Sequence, residues 1–515
     1  MSYIYGAAVQ GIQQFIFQTN ELKDIVGASA LVESICTEMF ENQFKKEGIK
    51  YDAQKSIIKA AGNIKYEFET REECERIIRG FPKVVTENAP GITISQAVVE
   101  YGEGDSYVDT INELERRLRV QRNRPMASTT TGLMGIMRSR KTNLPVVRIE
   151  TTKKGDTEYL DQGTLCKRKA AKMLGLCHEA FGDKSLRYED VVIDPGKMTK
   201  NNDWIAVIHA DGNGLGRIVQ EIGTNRKAFK EFSRELDNAT KEAAVKAYHE
   251  LLKEKLVDPC SPIPIRPIVL GGDDFTVICR ADLALQYTRS FIENFEAETQ
   301  SRLGAYIDGS KTGKAVFSEG ELQDSLTACA GIAYVKSSYP FYYAYELAES
   351  LCTLAKKDAK DKDSIREGRE IAPSCLMFHK VQDSFMEDFD EIRNRELCTK
   401  SGKRLDHGPY YLRRCEHRPK KWTIEKLTAM SDLILNKEKD GNAVKTNLRN
   451  WLTLLNDNPG MAAQKLKRMK KQITDKELLN LVIEATSEDC VPAYDILAIH
   501  TINTQQTKED SKNED

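Results

Sequence analysis

A run of six residues without a formal charge, Ile205-Ala-Val-Ile-His-Ala210, stops abruptly at Asp211-Gly-Asn-Gly-Leu-Gly216. An apolar run of this length bounded by a glycine turn fits a strand buried on both faces, and the switch leaves a carboxylate at its end. An amphipathic helical stretch follows, from about Arg217 to Leu256. Residues 262–279 then read as two strands joined at Gly271-Gly272-Asp273-Asp274, because Gly-Gly tolerates the positive φ of a tight hairpin. Next come a helix (283–302), a Gly-rich exposed insertion (304–321), a strand (326–335), a helix (343–359) and a strand around 375–378. This order confines the segment to an α/β sheet that carries Asp211, Asp273 and Asp274 toward one edge.

Carboxylates gathered at one sheet edge can hold two divalent cations about 4 Å apart. One cation lowers the pKa of an attacking hydroxyl; the other holds a triphosphate and offsets charge on the leaving pyrophosphate. Magnesium keeps several of its waters, so few protein ligands suffice. Gly271 and Gly272 let backbone approach a triphosphate. Gly212, Gly214 and Gly216 open a helix whose free N–H groups favour phosphate. Lys356 and Lys357, on the later helix, are candidate phosphate-binding cations. Each piece also has an ordinary counterpart: Gly-Gly-Asp-Asp alone is a β-turn, and two lysines alone are a solvated helix face. A calcium loop beginning at Asp211 is excluded, since its twelfth position is Ile222 and Glu221 falls one short. The order of the pieces is what raises the chemical reading. A buried strand ending in Asp, a long helix, then a hairpin tipped with Gly-Gly-Asp-Asp is the layout of a palm-type catalytic domain.

The chain has 515 residues, more than one core supports, and suggests about three domains. Its net charge of −2 means that any nucleic-acid contact comes from local patches. The 12 cysteines include no C-x-x-C pair, which points to reduced, mostly buried thiols. The N-terminus lacks the basic and apolar regions of a signal peptide, and no apolar run is long enough to span a membrane, so the expectation is a cytoplasmic protein without a membrane contact. Before the middle of the chain, apolar and β-like stretches at 3–9, 64–68 and 92–101 alternate with helical runs at 12–44 and 70–79, a small α/β sandwich followed by a helix at 105–122. Residues 123–202, with Ser128 to Thr131 and a Gly-Asp turn at 155–156, read as a connector. Residues 420–500 read as helical and contain a basic cluster, Lys465, Lys467, Arg468, Lys470 and Lys471. The polar tail is expected to be disordered.

Residues 204–380 resemble the palm domain of the large subunit of type III CRISPR effector complexes, the cyclic oligoadenylate synthetases, and more remotely the GGDEF palm of diguanylate cyclases. The resemblance rests on Ala210-Asp-Gly-Asn-Gly-Leu-Gly216, Leu270-Gly-Gly-Asp-Asp-Phe275, Ala330-Gly-Ile-Ala333 and Ala348-Glu-Ser-Leu-Cys-Thr-Leu-Ala-Lys356. Val9-Gln-Gly-Ile-Gln-Gln-Phe-Ile16 and Leu22 to Leu31 resemble the opening of the family's first palm, with Ala60-Ala-Gly-Asn63 standing at its turn without carboxylates.

The implied architecture is α/β (α+β), with two ferredoxin-like palm domains, an insertion domain between them and a C-terminal helical domain. It divides the chain into 1–122 (degenerate first palm, chemically empty), 123–202 (insertion), 203–385 (catalytic palm), 386–502 (helical domain) and 503–515 (tail). By resemblance Asp211, Asp273 and Asp274 hold two Mg²⁺ or Mn²⁺ ions, with the Gly212 carbonyl as a further ligand. Gly212, Asn213, Gly214, Gly271, Gly272, Lys356 and Lys357 contact the nucleotide. The implied reaction converts ATP to cyclic or linear oligoadenylate, a second messenger in antiviral defence. The implied partners are an activating RNA, subunits of an RNA-guided complex, or further copies of the chain. The alternatives are a cyclase using another nucleotide and a non-catalytic scaffold subunit.

The chain departs from the family in three places. It opens directly at the first palm with no His-Asp doublet, so no DNase role is expected. Only Cys166 and Cys177, with His178, lie where relatives hold zinc on four cysteines. Asn213 replaces a carboxylate common in the family. The first two departures favour a stand-alone synthetase.

Overall fold

Strand β1 (Ser2–Gln10) sends Ile4 into one core and Tyr5, Ala7 and Val9 into another. It is hydrogen-bonded to a neighbouring strand along each edge and so lies inside its sheet. The computed structural model in which this is seen describes residues 2–60, 62–102, 106–124, 134–151, 155–199, 204–222, 226–307, 310–311, 325–361, 372–382, 389–414, 420–486 and 491–510. A hairpin of β2 (Ser56–Ala60) and β3 (Asn63–Phe68), and then β4 (Thr93–Tyr101), complete an antiparallel sheet in the order β2-β3-β1-β4. Helices Leu22–Ser34 and Arg71–Asn88 contribute to the core that holds Tyr5, and helix Tyr107–Arg122 covers the other face. Gly6 admits that last helix: a Cβ there would lie 3.0 Å from Leu114 Cδ2. The short β2 went unread in the sequence, because Ser-Ile-Ile-Lys-Ala shows too little alternation to separate from a loop.

Next comes a hairpin, β5 (Val146–Thr151) and β6 (Thr157–Asp161), then helices Gln162–Ala170 and Gly175–Phe181. Helix Gln162–Ala170 packs so tightly on helix Leu22–Ser34 that a Cβ at Gly27 would sit 1.7 Å from the Lys167 carbonyl oxygen. The buried Lys167 ammonium donates to the Phe15 carbonyl (2.6 Å) and to Gln18 Oε1 (2.9 Å), and burial pushes its pKa down to about 8. The connector is thus docked on the helices of the first palm. Cys166 and Cys177 pack against different cores, and His178 Nε2 contacts the Leu186 carbonyl at 3.1 Å. The structure does not bring these three together.

The second sheet contains β7 (Trp204–Gly212), β8 (Ile265–Gly271), β9 (Asp274–Arg280) and β10 (Ala328–Lys336) in the order β10-β7-β9-β8. This is the first sheet's order repeated, so the chain holds two ferredoxin-like palms in an α/β architecture, as the resemblance implies. β11 (Cys375–Lys380) adds parallel to β10, and β12 (Tyr410–Tyr411) pairs with β11. The sheet therefore continues past the expected boundary at 385, through a strand of two residues too short to leave a pattern. The helix expected over 217–256 is two helices, Leu215–Ile222 and Arg226–Lys253, and the one expected over 70–79 extends to Asn88. Ser128 to Thr131 and most of 304–321 lie outside the described residues; Gly304 itself is in helix Ala281–Ile307.

Helices Ile424–Asn436, Glu438–Asp457, Pro459–Gln472, Lys476–Ala485 and Pro492–Asp510 form the C-terminal unit. The last of them continues past 503, correcting the tail expected from 503, because nothing from Asn503 to Asp510 is Gly or Pro. Helix Pro459–Gln472 buries only Ala462 and Met469, and its five basic residues form no ion pair among the described residues. No helix of the described residues is long and apolar enough to cross a membrane.

Helix Phe341–Ala359 lies directly on β10. A Cβ at Gly331 would stand 2.0 Å from the Ala348 carbonyl oxygen and 2.6 Å from Cys352 N. Gly331→Ala forces helix and strand apart and costs roughly 1–3 kcal/mol, the scale of overpacking. Denaturant titration checks this, and an unchanged midpoint contradicts the close seating.

Candidate active site

The register of β7 and β9 sets Asp211 opposite Asp274, with Gly271 pairing Asp274 on the other side. Asp273 sits in the turn between them, where Gly272 adopts φ +65°. Two side chains of helix Arg226–Lys253 grip this turn: Asp237 Oδ1 accepts from Gly272 N (3.1 Å), and Thr240 Oγ1 donates to the Gly272 carbonyl. The hairpin tip is therefore fixed from below. Gly212 makes room for it, since a Cβ there would lie 3.0 Å from Asp273 Cβ.

The three carboxyl groups crowd one another. Burial and hydrogen bonding with the neighbouring Asp211 push Asp273 well above the usual carboxylate range. Burial, then the charges of Asp211, Asp273 and Glu349, push Asp274 up to about 7. Asp274 Oδ1 is buried with no hydrogen-bond partner; its nearest base, His209 Nδ1, is 3.5 Å away. That imidazole contacts Thr276 Oγ1 at 3.1 Å, and burial pushes its pKa down to about 4, so it is neutral at pH 7 and cannot compensate the acids. Lys356 supplies the compensating charge present, bonding Asp211 Oδ2 and donating to the Gly212 carbonyl at 2.8 Å.

Among the described residues, no three His, Cys, Asp or Glu side chains converge as a preformed metal cage. The donor set nevertheless suits a hard cation. A buried, unbonded carboxylate oxygen and mutually raised carboxyls are what a divalent ion compensates.

The structure brings Asp211, Gly212, Gly271, Gly272, Asp273, Asp274 and Lys356 together, and it corrects two other residues. Asn213 points into the core, where its amide donates to Thr327 Oγ1 (3.1 Å) and Cys329 Sγ (3.3 Å). Lys357 is exposed and lines no part of the cleft, because the residue after Lys356 is turned about 100° around the helix. Gly214, with φ +76°, opens helix Leu215–Ile222. A cleft of about 590 Å³ fronts the hairpin, and a narrower cavity of about 240 Å³ runs between the palms past Gly271 and Asp274.

Sequence reasoning missed Glu349 and Gln13. Glu349 precedes Lys356 by seven residues, two helical turns on one face, a signal that was readable. Gln13 Nε2 reaches from the first palm to Tyr345 Oη at 3.1 Å, which no local pattern reveals.

The first palm shows why it lacks this chemistry. Its β1–β3 register sets Ala8 opposite Asn63 where the second palm sets Asp211 opposite Asp274.

Two ferredoxin-like palms, one with an acid-tipped hairpin, define a protein of the palm class. Within it, residues 204–366 match the family model described as Cas10/Cmr2, second palm domain. The match covers the second palm, so it is this domain that is similar to the large subunits of type III CRISPR effector complexes. No curated protein matches it. Its fold is similar to chains in crystal structures of the Csm1-Csm4 cassette in complex with pppApApA (14% identity, TM-score 0.56), AMPPNP (14%, 0.55) and cA4 (13%, 0.54). Each comparison covers 97% of this chain and 69% of the other.

The raised Asp274 gives the metal-free protein a definite pH response. A carboxyl that holds its proton more tightly when folded loses stability as pH rises from about 4 to about 7, and the loss persists above that. Asp274→Asn therefore raises the melting midpoint by a few degrees at pH 8 in chelator, and the gain vanishes toward pH 4. Thermal scans at the two pH values check this. A variant that melts lower than wild type at pH 8 contradicts it.

Proposed function

We propose that this chain is a metal-dependent nucleotidyltransferase that joins ATP into cyclic or linear oligoadenylate, a messenger of antiviral defence. The observation that carries the reading is the cluster of Asp211, Asp273 and Asp274 on adjoining strands, with one buried carboxylate oxygen left unbonded. The ligands of the fold relatives support the adenylate assignment, since those cassettes bind AMPPNP, pppApApA and cA4.

In this reading Asp211, Asp273, Asp274 and the Gly212 carbonyl hold Mg²⁺ or Mn²⁺, which when bound lowers the pKa of the attacking hydroxyl and offsets charge on pyrophosphate. Gly271 and Gly272 leave the hairpin backbone open to the triphosphate, and Gly214 does the same at the helix start. Asp237 and Thr240 hold the tip rigid, so the acids are preorganised before nucleotide arrives. Lys356 neutralises Asp211 in the free protein and is free to turn to phosphate once a cation replaces it. The neutral His209 keeps Thr276 and β9 in place. The cavity between the palms, walled by Ile16, Phe17, Val32 and Leu270, offers an apolar slot for a base. The domain limits remain those read from the sequence, except that β12 joins the second palm and the last helix runs on to Asp510.

The Lys356–Asp211 ion pair also favours a second reading, a scaffold in which lysine replaces the metal. Turnover separates the two. Purified protein incubated with ATP and Mn²⁺ yields oligoadenylate and pyrophosphate by mass spectrometry. Asp273→Ala with Asp274→Ala lowers the rate more than about 10³-fold, as loss of a chemically essential group does. Full activity in the double variant sinks the transferase.

The partner proposed for the C-terminal unit is an activating RNA, on the exposed and unpaired basic face of helix Pro459–Gln472. Reversing Lys467, Arg468 and Lys471 to Glu weakens RNA binding, and the wild-type affinity falls steeply with salt because each phosphate contact releases counterions. Filter binding at 50 and 200 mM salt reads both effects. Affinity that ignores the reversals removes this face from the contact.

A further inference from the structure

The cleft before the acid-tipped hairpin has a second wall, made by the first palm. Six carboxyl groups line the cleft: Asp211, Asp237, Asp273, Asp274, Glu349 and, from the first palm, Glu115. Lys356 bonds Asp211 and Lys241 bonds Asp237 from outside the lining, yet the carboxyls outnumber these two cations and repel a triphosphate that enters without metal. Among the described residues that line it there is one lysine or arginine, Lys65.

Lys65 is placed by strand geometry. Its neighbours Ile64, Tyr66 and Phe68 on β3 are buried in the first palm's core, so period-two alternation turns Lys65 to the opposite face. There it stands opposite Gly6 on β1, two residues beyond Asn63 at the hairpin end that faces the catalytic site. Its side chain is 10% exposed, and its Nζ bonds Glu115 Oε1 on helix Tyr107–Arg122. Glu115 is far looser, with 47% of its side chain exposed. The pair is therefore unequal: a lysine fixed on a strand and covered by its surroundings, held by a carboxylate that solvent already reaches. A plain tie between strand and helix needs no such placement, since the helix is already seated on β1 by Leu114 and Leu118.

We propose that Lys65 is a phosphate anchor contributed by the first palm, and that Glu115 occupies it until a nucleoside triphosphate arrives. The inference rests on the nucleotide-transfer reading and deepens it: the wall without catalytic acids binds the substrate's charge. A triphosphate presents several anionic oxygens where Glu115 presents two, and so displaces it. Glu115 then returns to the solvent that already reaches it, while the phosphate keeps the covered Lys65 paired.

The anchor and a structural tie differ in sign. Titration calorimetry of the full chain with Mg²⁺ and the α,β-methylene analogue of ATP, whose α–β bridge cannot be broken to release pyrophosphate, reads affinity without turnover. Lys65→Gln weakens binding roughly 10–100-fold, the scale of a lost charge-assisted hydrogen bond. Lys65→Arg keeps most of it, and Glu115→Gln tightens it several-fold by removing the competitor. Affinity unchanged in both Gln variants, or weakened in both, overturns the proposal. Should Lys65→Gln fail to fold, the sign of the Glu115→Gln effect decides alone. The two readings also separate. Lys65-dependent binding in a chain that never turns over ATP sinks the transferase and keeps the anchor, whereas turnover with α,β-methylene-ATP affinity indifferent to Lys65 does the reverse.

Discussion

Asp211 and Asp274 face each other across neighbouring strands, a like-charge cross-strand pair that ordinarily destabilises a sheet. Everything around the hairpin can be understood as support for that arrangement. Asp237 and Thr240 pin the turn, Gly212 clears space for Asp273, and Lys356 lends a charge from a separate helix. Residual strain remains in the raised carboxyls and in the unbonded oxygen of Asp274. Such a site is stabilised by whatever brings positive charge to it, which is why its stability and its proposed chemistry are coupled.

The two palms show what that arrangement requires, because the chain contains a version with it and one without. Both palms have the same strand order, with the corresponding hairpin, β2–β3 or β8–β9, at one edge of the sheet. At corresponding registers the first has Ala8 and Asn63, and the second has Asp211 and Asp274. The fold thus tolerates either outcome; the backbone specifies the positions and the side chains specify the use. With its acids gone, the first palm is free to carry a buried-side lysine where the second carries Thr276.

Much of this was legible in the sequence. The apolar run ending in Asp211 and the Gly-Gly-Asp-Asp turn located the central strands, since buried strands and tight turns leave strong local patterns. Lys356 could be chosen from its helix, but not separated from Lys357, because only packing on Gly331 decides which face of that helix meets Asp211. Asn213 misled for a similar reason: its neighbours suggest an active-site loop, while its side chain satisfies Thr327 and Cys329 in the core. Gln13 and Lys65 were invisible as site residues, as each acts across a gap between domains that no local spacing encodes. The short strands β2 and β12 lack the length over which alternation can be read.

Helix Phe341–Ala359 touches more of the molecule than its length suggests. Near its start, Asn20 Oδ1 accepts from Phe341 N at 2.7 Å, and Tyr345 stacks on Phe17 with ring centroids 4.8 Å apart, both contacts with the first palm. About three turns before its end Gln13 reaches Glu349, and one turn before its end Lys356 reaches Asp211. Beyond that, Asp358 accepts from Lys421 Nζ at 3.0 Å, at the entry to the C-terminal helices. A single rigid rod therefore runs from one palm, past the acids, to the helical unit. The ammonium beside Asp211 is thus carried on the same helix that touches the first palm at one end and the C-terminal unit at the other.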